Sequence, residues 1–457
     1  MNHKHYFLVG IGGVGMQGLA RLLLSRGHRV SGSDMQDFGS RPEMEKMGIQ
    51  VTVGHRADNI DETVDEVIYS VAIPSTNPEI MEAKKRNLPI LRRLELVGEI
   101  MRNKIGVAVS GTHGKTTTTK MLDLILTEAK LDPTVLIGAE VKKLSANLTI
   151  GQGDIMVVEG CEYGRSFLDL KPKIAVITNI EADHLDYYKD IEDIKSAFTQ
   201  FAKLVPHKAG LIVANGDDTN VRDALCGIGR KIVWAGVGDS NDIRATDLKF
   251  EDGRLYFCIS GERMHLHVPG RHHVSDAVLA WATAKELGVD DKTIIKGLHK
   301  FRGVERRFEL LGETNGVSFI DDYAHHPTEI SATLEGMKQY FKGRRLLVVF
   351  HPHQFCRTRL LLNSFAQSFK DADLVVVAPI YAVRDSKKDR ESISAQDLVD
   401  EINKVSSNAR FVGDFEKIKE LMLTEIKPGD VVVTLGAGQA NVFGKELFDE
   451  MNSPTTS

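Results

Sequence analysis

Cysteine is scarce: four residues in 457, Cys161, Cys226, Cys258 and Cys356, lie far apart with no CxxC pair. That spacing excludes a disulfide scaffold and a cysteine-based zinc site, and it points to a reducing compartment, the cytoplasm. Long hydrophobic runs are missing too. No apolar stretch approaches the roughly 18 residues of a spanning helix, so no membrane partner is expected. Lys4 followed by the apolar run at residues 6–16 loosely imitates a signal peptide, but glycines at 10, 12, 13 and 15 break it and no small-residue cleavage site follows. A basic surplus is absent as well. The 58 lysines and arginines stand against 63 acids, a formal charge of −5, which argues against nucleic acid as a partner. An anionic ligand then has to be held by local devices: glycine-loop amides, a few cations or metal ions.

What is present is ordinary for a folded protein, with 42% hydrophobic, 7% aromatic and 26% charged residues. At roughly 150 residues per domain the length predicts about three domains, and the pattern along the chain restarts twice. A strand at 6–9 runs into Gly10-Ile11-Gly12-Gly13-Val14-Gly15. The helix after it carries apolar Met16, Leu19, Ala20 and Leu23 at i, i+3, i+4, i+7 and stops at Gly27. A second strand at 29–33 ends at Asp34, giving a β-α-β unit with the glycine loop at its first crossover. Another strand is predicted over 67–73, closed by the breaker cluster Pro74-Ser75-Thr76-Asn77-Pro78. Near Lys104 the chain restarts: a strand at 105–109 leads to a second glycine loop and a helix, and strands follow at 155–158, 174–178 and 211–214. From Gly312 a third series places strands at 317–320, 346–350, 374–378 and 431–434. The expected fold class is therefore α/β, in three domains at 1–103, 104–312 and 313–457. Only the tail from Asn452 to Ser457 reads as disordered.

The second glycine loop, Gly111-Thr112-His113-Gly114-Lys115-Thr116-Thr117, is the sharper of the two. Its glycines let backbone amides face phosphate oxygens, Lys115 supplies a point charge, and Thr116 offers a hydroxyl to a metal ion at a helix start, as nucleoside triphosphate binding requires. The first loop has the GxGxxG form, and Asp34, 24 residues after Gly10, suits a ribose hydroxyl. Alone it suggests a dehydrogenase, yet a separate ATP loop argues against hydride transfer. Glu159 and Glu162 lie just beyond one strand and Asp183-His184-Leu185-Asp186 beyond another, at the carboxyl ends where ligands collect in open sheets. Hard oxygens plus one imidazole suit magnesium or manganese beside phosphates. In the third series, Asp321-Asp322-Tyr323-Ala324-His325-His326 ends a strand, and Pro327 opens a helix with Thr328 and Glu329 in its first turn. After the next strand, His351-Pro352-His353-Gln354-Phe355-Cys356-Arg357-Thr358-Arg359 forms a basic cluster able to hold a carboxylate.

The ordered series GIGGVGM, SGTHGKTTT, VEGCEYGRSFL, TNIEADHLDYY, VPGRHHVSDA, FRGVERRFE, DDYAHHPTEI, FHPHQFCRTR and GAG resembles, over the whole chain, the Mur ligases that build the peptide stem of bacterial peptidoglycan. The resemblance implies a Rossmann-like UDP-binding domain, a central P-loop-type ATPase domain with a mostly parallel sheet, and a C-terminal Rossmann-like domain for the amino acid. It implies small-molecule substrates, UDP-N-acetylmuramate, ATP and L-alanine: ATP phosphorylates the lactyl carboxylate and the alanine amine attacks the acyl phosphate. Gly10, Gly12, Gly13, Val14 and Gly15 then accept the UDP pyrophosphate, while Asp34, His55, Ser70 and Ala72 line the nucleotide pocket. Lys115 neutralises ATP phosphates, Thr116 with Glu162 holds a first magnesium, and Glu162 with His184 a second. His272 and Asp276 fall in the adenine-contacting segment, Arg307 reaches ATP, and Asp322 orients the site. Tyr323, His325, His353 and Arg357 match positions for the incoming alanine, with Arg357 on its carboxylate.

Within the family, a lysine found in several branches about fourteen residues beyond the metal histidine is Phe198 here, as in the alanine-adding branch, and DHLD agrees. The tripeptide-recycling branch also lacks that lysine but differs from the PHxxxRTR pattern. Three departures stand out. His272-His273 and Asp276 replace a usual His-Asn and Asn, Gln354 replaces a second substrate-facing arginine, and Gln439 replaces an aspartate after GAG. The loss of an arginine at 354 admits glycine or serine beside alanine, since a small pocket discriminates poorly by one methyl group. The departures at His273, Asp276 and Gln354 are the only support for a non-catalytic UDP-sugar and ATP-binding regulatory module. Monomer and homodimer are both open.

Overall fold

The computed structural model describes residues 3–138, 148–383 and 385–453. These form three sheets, and the chain groups into two compact units, one of residues 1–181, 192–244 and 275–300, the other of 182–191, 245–274 and 301–457.

The first unit contains two parallel sheets. In the amino-terminal one the strands run in the order Gln50–Val53, Arg29–Asp34, His5–Val9, Glu66–Tyr69, Ile90–Arg92, all parallel. The connection reverses direction on either side of His5–Val9, so the glycine loop that follows this strand sits at the topological switch point. Helix Val14–Ser25 buries Met16, Leu19, Ala20, Leu22 and Leu23, the face expected from their spacing. The strand expected over 67–73 is shorter: pairing covers Glu66–Tyr69, and Ile73 N–H turns back to the Ser70 carbonyl, so the turn begins four residues before Pro74.

The larger sheet runs Ile232–Gly236, Leu211–Asn215, Ile174–Ile177, Ile105–Ser110, Ile155–Glu159, Thr134–Leu136, with Leu148–Thr149 antiparallel at the edge. Its central strands are near-continuous Val, Ile and Ala and fully buried, the signature of a sheet covered on both faces. Helix Lys115–Glu128 leaves the middle of this sheet, and Asp291–His299 packs on it so closely that a Cβ at Gly297 would lie 2.6 Å from Ile125 Cα.

Strand Ile243–Glu251 begins in the first unit beside Ile232–Gly236 and continues into the second. There it forms an antiparallel ribbon with Arg254–Ile259 and Glu262–Leu266, which the sequence reading did not anticipate. The second unit's main sheet runs Glu309–Thr314, Val317–Asp322, Val431–Leu435, Leu346–Phe350, Leu374–Val377, Ala409–Arg410. Its first strand is antiparallel and starts three residues before Gly312. Alternate residues face opposite sides: Val348, Phe350 and Val433 pack with Leu334, Phe365 and Ile402, whereas Val349, Phe319 and Val432 pack with Met422, Phe443 and Leu447. At the carboxyl end Asn452 closes helix Ala440–Asn452 and Ser453 caps it, which corrects the start of the expected disordered tail; 454–457 lie outside the described residues.

Candidate functional site

Three constellations hold the residues singled out in the sequence. The first surrounds Lys115. Strand Ile105–Ser110 delivers the loop and helix Lys115–Glu128 receives it, with Gly114 as N-cap at φ 77°. Only glycine suits that position, because a Cβ there would also lie 2.4 Å from Asp276 Oδ1. Asp276 is buried and accepts from Thr118 Oγ1 at 3.2 Å, so this residue supports the loop from beneath. The amides of Thr112 and His113 donate to Asn179, whereas those of Gly114, Lys115 and Thr116 find no acceptor among the described residues, leaving a helix start ready for an anion. Lys115 Nζ donates to the carbonyls of Gly111 (2.5 Å) and Thr112 (3.0 Å) and lies 3.0 Å from Glu162 Oε2. Burial pulls the Lys115 pKa down, but Glu162, with Cys161 and Glu159 nearby, outweighs it and holds the ammonium above its ordinary range. Burial first, then Glu162, pushes the neighbouring Cys161 thiol up to about 11, so it is no thiolate.

Thr116 Oγ1 donates to the oxygens of Glu159 at 3.1 Å, and Gly138 N–H donates to the same carboxylate at 2.8 Å. Glu162 is the partner of Lys115. The hydroxyl of Thr116 and the two carboxylates are all hard oxygen donors beside a phosphate-type loop, a set that fits magnesium.

The second constellation is the first glycine loop. Asp34 Oδ2 accepts from Gly12 N–H at 2.9 Å, so the carboxylate braces the loop. Gly10 lies against Ile73 and Ser70, which brings the 70–73 turn to the loop as expected; Ala72 there is exposed. His55 is held by Ser33 Oγ at 3.0 Å and by the fully buried Glu79 at 2.9 Å, and Glu79 also accepts from Asn59 at 2.6 Å. The Gly12 amide is taken by Asp34 and the Gly13 amide by the Gly10 carbonyl, and those of Val14 and Gly15 have no acceptor among the described residues.

The third lies in the second unit. Asp322 is buried at a strand end, accepts from Phe308 N–H (2.7 Å) and Ala324 N–H (2.8 Å), and has its pKa pushed up to about 6, burial outweighing the nearby Arg307. Arg307 Nη1 donates to Glu329 Oε1 at 2.9 Å, and Tyr323 has the guanidinium groups of Arg306 and Arg307 4.8 and 5.4 Å from its ring centroid. Glu329 also accepts from His325 N–H at 3.1 Å. Burial drives the His325 pKa down to about 4, so its imidazole is neutral at pH 7. His353 and Arg357 share a hydrogen bond of 3.0 Å, and the His325 and His353 rings are 6.0 Å apart.

Arg357 is the most tightly held of these residues. Its Nε and Nη2 both donate to Asp183 Oδ1, at 3.0 and 2.8 Å, and both side chains are buried. Burial opposes the charge on Asp183, but Arg357 and the nearby histidines hold its carboxyl well below the usual range. Removing one partner from such a pair costs about 3–5 kcal/mol. The pair lines a shallow cleft with His184, Cys356 and Leu361. His184 itself has φ 54°, a strained value for a non-glycine residue. Gln354, with φ 71° and ψ 129°, sends its amide nitrogen to the Val383 carbonyl at 3.1 Å, so it does not replace the missing arginine. His272 is exposed, and its ring lies 4.1 Å from His273, whose pKa burial lowers to about 4.

Sequence reasoning missed Glu159 as the partner of Thr116, Glu329 as the hub joining Arg307 to His325, and Arg93, whose guanidinium lies across Gly15. Glu159 was visible at the end of a strand; Arg93 had no local signal, since its neighbour Arg92 looks the same in sequence and instead pairs with Asp169 at 2.6 Å.

Three α/β sheets and two glycine loops, one armed with a lysine and carboxylates, define a nucleotide-using enzyme. Three family models match in succession: Mur ligase family, catalytic domain, over residues 5–105; Mur ligase middle domain over 109–284; and Mur ligase, glutamate ligase domain, over 306–438. The chain is 43% identical over 453 residues to UDP-N-acetylmuramate–L-alanine ligase of Acetivibrio thermocellus, covering 97% of this chain and 95% of that one. Among solved structures it is similar to UDP-N-acetylmuramate-alanine ligase of Thermotoga maritima, with a TM-score of 0.81, 27% identity, and coverage of 98% and 99%. A murein peptide ligase from Psychrobacter arcticus shares the fold, with a TM-score of 0.71, 24% identity, and coverage of 99% and 100%. The chain belongs to the Mur ligase family. It is an enzyme that forms carbon–nitrogen bonds, with ATP as its nucleotide. No helix among the described residues is long and apolar enough to cross a membrane.

Proposed function

We propose that the protein ligates L-alanine to the lactyl carboxylate of UDP-N-acetylmuramate in the cytoplasm, a step of peptidoglycan precursor synthesis, using domains at 1–103, 104–312 and 313–457. The observation that carries this reading is full-length similarity at about 43% identity to ligases of that name, combined with the intact Lys115 loop. A carboxylate is a poor electrophile. Transfer of the γ-phosphoryl group of ATP to its oxygen gives an acyl phosphate and ADP; attack of the amine on the carbonyl then forms the C–N bond, breaks the C–O bond to phosphate, and releases inorganic phosphate and a proton.

The residues support each part. Lys115 and the amides of Gly114 and Thr116 face the ATP phosphates, and Lys115 exchanges Glu162 for them on binding. Thr116 with Glu159 and Glu162 would hold magnesium, which would supply charge neutralisation to the phosphates. His184 enters the metal set, and Arg307 and His272 the ATP set, on the resemblance alone. In the second unit, neutral His325 is available to take the amine proton, and Arg357 meets the amino-acid carboxylate while retaining Asp183. The test is phosphate release from ATP and magnesium with UDP-N-acetylmuramate and single amino acids or the tripeptide. Release with L-alanine, and more weakly with glycine or serine, is expected; release with tripeptide alone moves the branch, and none with any acceptor rejects the ligase reading.

A further inference from the structure

Asp183 and Arg357 are both buried, and the donors around Asp183 are divided unevenly between its two carboxylate oxygens. Oδ1 accepts from Arg357 Nε at 3.0 Å, from Arg357 Nη2 at 2.8 Å and from the His184 amide at 2.7 Å. Oδ2 accepts from no donor among the described residues; His184 Nε2 lies 4.0 Å from it, beyond hydrogen-bond reach. The guanidinium is also incompletely used. Its Nη1 turns to His353 at 3.0 Å, and of the two N–H groups on Nη2 only the one given to Asp183 has an acceptor among the described residues. An open acceptor and an open donor therefore sit on neighbouring side chains of one cleft, whose wall is continued by the apolar Leu185 and Leu361. A second carboxylate brought to Arg357 meets Asp183 across the same guanidinium, and two carboxylates sharing one cation repel. A ligand that carries its own cation escapes this penalty: its carboxylate takes the free N–H, its ammonium takes Oδ2, and a neutral pair meets a neutral ligand.

We propose that Asp183 is the ammonium subsite for the incoming amino acid, so that Asp183 and Arg357 together select a zwitterion over a simple carboxylate. This rests on the reading that the protein ligates an amino acid, and adds to it a residue on the amine side. Asp183 holds the ammonium in place; the proton passes to His325.

The experiment follows phosphate release by the full-length protein with ATP, magnesium, UDP-N-acetylmuramate and L-alanine, in wild type and Asp183→Asn. Asparagine keeps one oxygen toward Arg357 and places an NH₂ donor where Oδ2 stands, so it preserves the shape of the pair and rejects an ammonium. The KM for L-alanine is expected to rise about 10- to 100-fold, the range for losing a charged hydrogen bond, with the KM for ATP and for UDP-N-acetylmuramate within a few-fold of wild type. A second measurement needs no variant. Propionate, which is L-alanine without its ammonium, is expected to inhibit wild type competitively with L-alanine only at concentrations about 100-fold above the L-alanine KM. An unchanged KM for L-alanine in Asp183→Asn overturns the inference. An equal rise in all three KM values makes Asp183 a residue of the fold and overturns it too. If Asp183→Asn does not fold, propionate decides alone, and competition at the KM of L-alanine overturns the inference. Wild type that releases no phosphate with any amino acid overturns the ligase reading itself.

Discussion

Lys115 and Arg93 are the cations of two glycine loops within the same unit, and they are held in opposite ways. Lys115 is bound by Glu162 and two loop carbonyls, so its charge is balanced before any phosphate arrives. Arg93 lies across Gly15 with no ion-pair partner among the described residues. The carboxylates follow the same division: at the second loop Glu159 and Glu162 face the hydroxyl and the ammonium, while at the first Asp34 is spent on the Gly12 amide. A loop that receives a ligand with its metal ion needs carboxylates to hold the metal, and these must neutralise the lysine meanwhile. A loop that receives a metal-free anion needs only donors.

The harshest way to break this comparison is Lys115→Ala. Turnover should fall by about 10²–10³-fold or more, the scale of losing a donor that stabilises transition-state charge, while UDP-sugar affinity measured by calorimetry stays within a few-fold of wild type. Joint loss of both would show that the two loops are one site. Next comes Gly114→Ala. The left-handed backbone costs a Cβ-bearing residue about 1–2 kcal/mol, and the contact with Asp276 adds to that, so ATP affinity should drop about tenfold with uridine binding preserved. Unchanged ATP affinity would mean that the loop relaxes freely. The mildest is Glu162→Gln. Glu162 is what raises the Lys115 pKa against burial, so its neutral isostere lets burial dominate and lowers that pKa. Lys115 is then less fully protonated at mildly alkaline pH, and its acylation by an amine-directed reagent, followed by peptide mass spectrometry, should speed up several-fold. An unaltered labelling rate would show that Glu162 does not set the charge state.

Much of this was legible in advance. Strand Leu346–Phe350 coincides with its expected range, and helix Pro327–Tyr340 begins at the proline that announced it, because apolar runs and a fixed φ are local properties of the chain. The ribbon of Ile243–Glu251, Arg254–Ile259 and Glu262–Leu266 was not legible: its residues alternate between buried and exposed, with Arg, Lys and Glu breaking the apolar pattern. The early end of strand Glu66–Tyr69 was missed because residues 70–73 are as apolar as a strand, and only the turn back to Ser70 shows otherwise.

The sequence by itself determined the two glycine loops, their strand-to-helix settings, the scarcity of cysteine and the family, because each depends on residues adjacent in the chain or on motif order. The tertiary structure alone decided which carboxylate meets which cation. Asp183 and Arg357 are 174 residues apart, and Glu159 and Glu162 are chemically alike and three positions apart, yet one meets a hydroxyl and the other an ammonium. Charge type is written in a residue, but the partner of a charge depends on distance, and at these separations distance exists only once the sheets have packed.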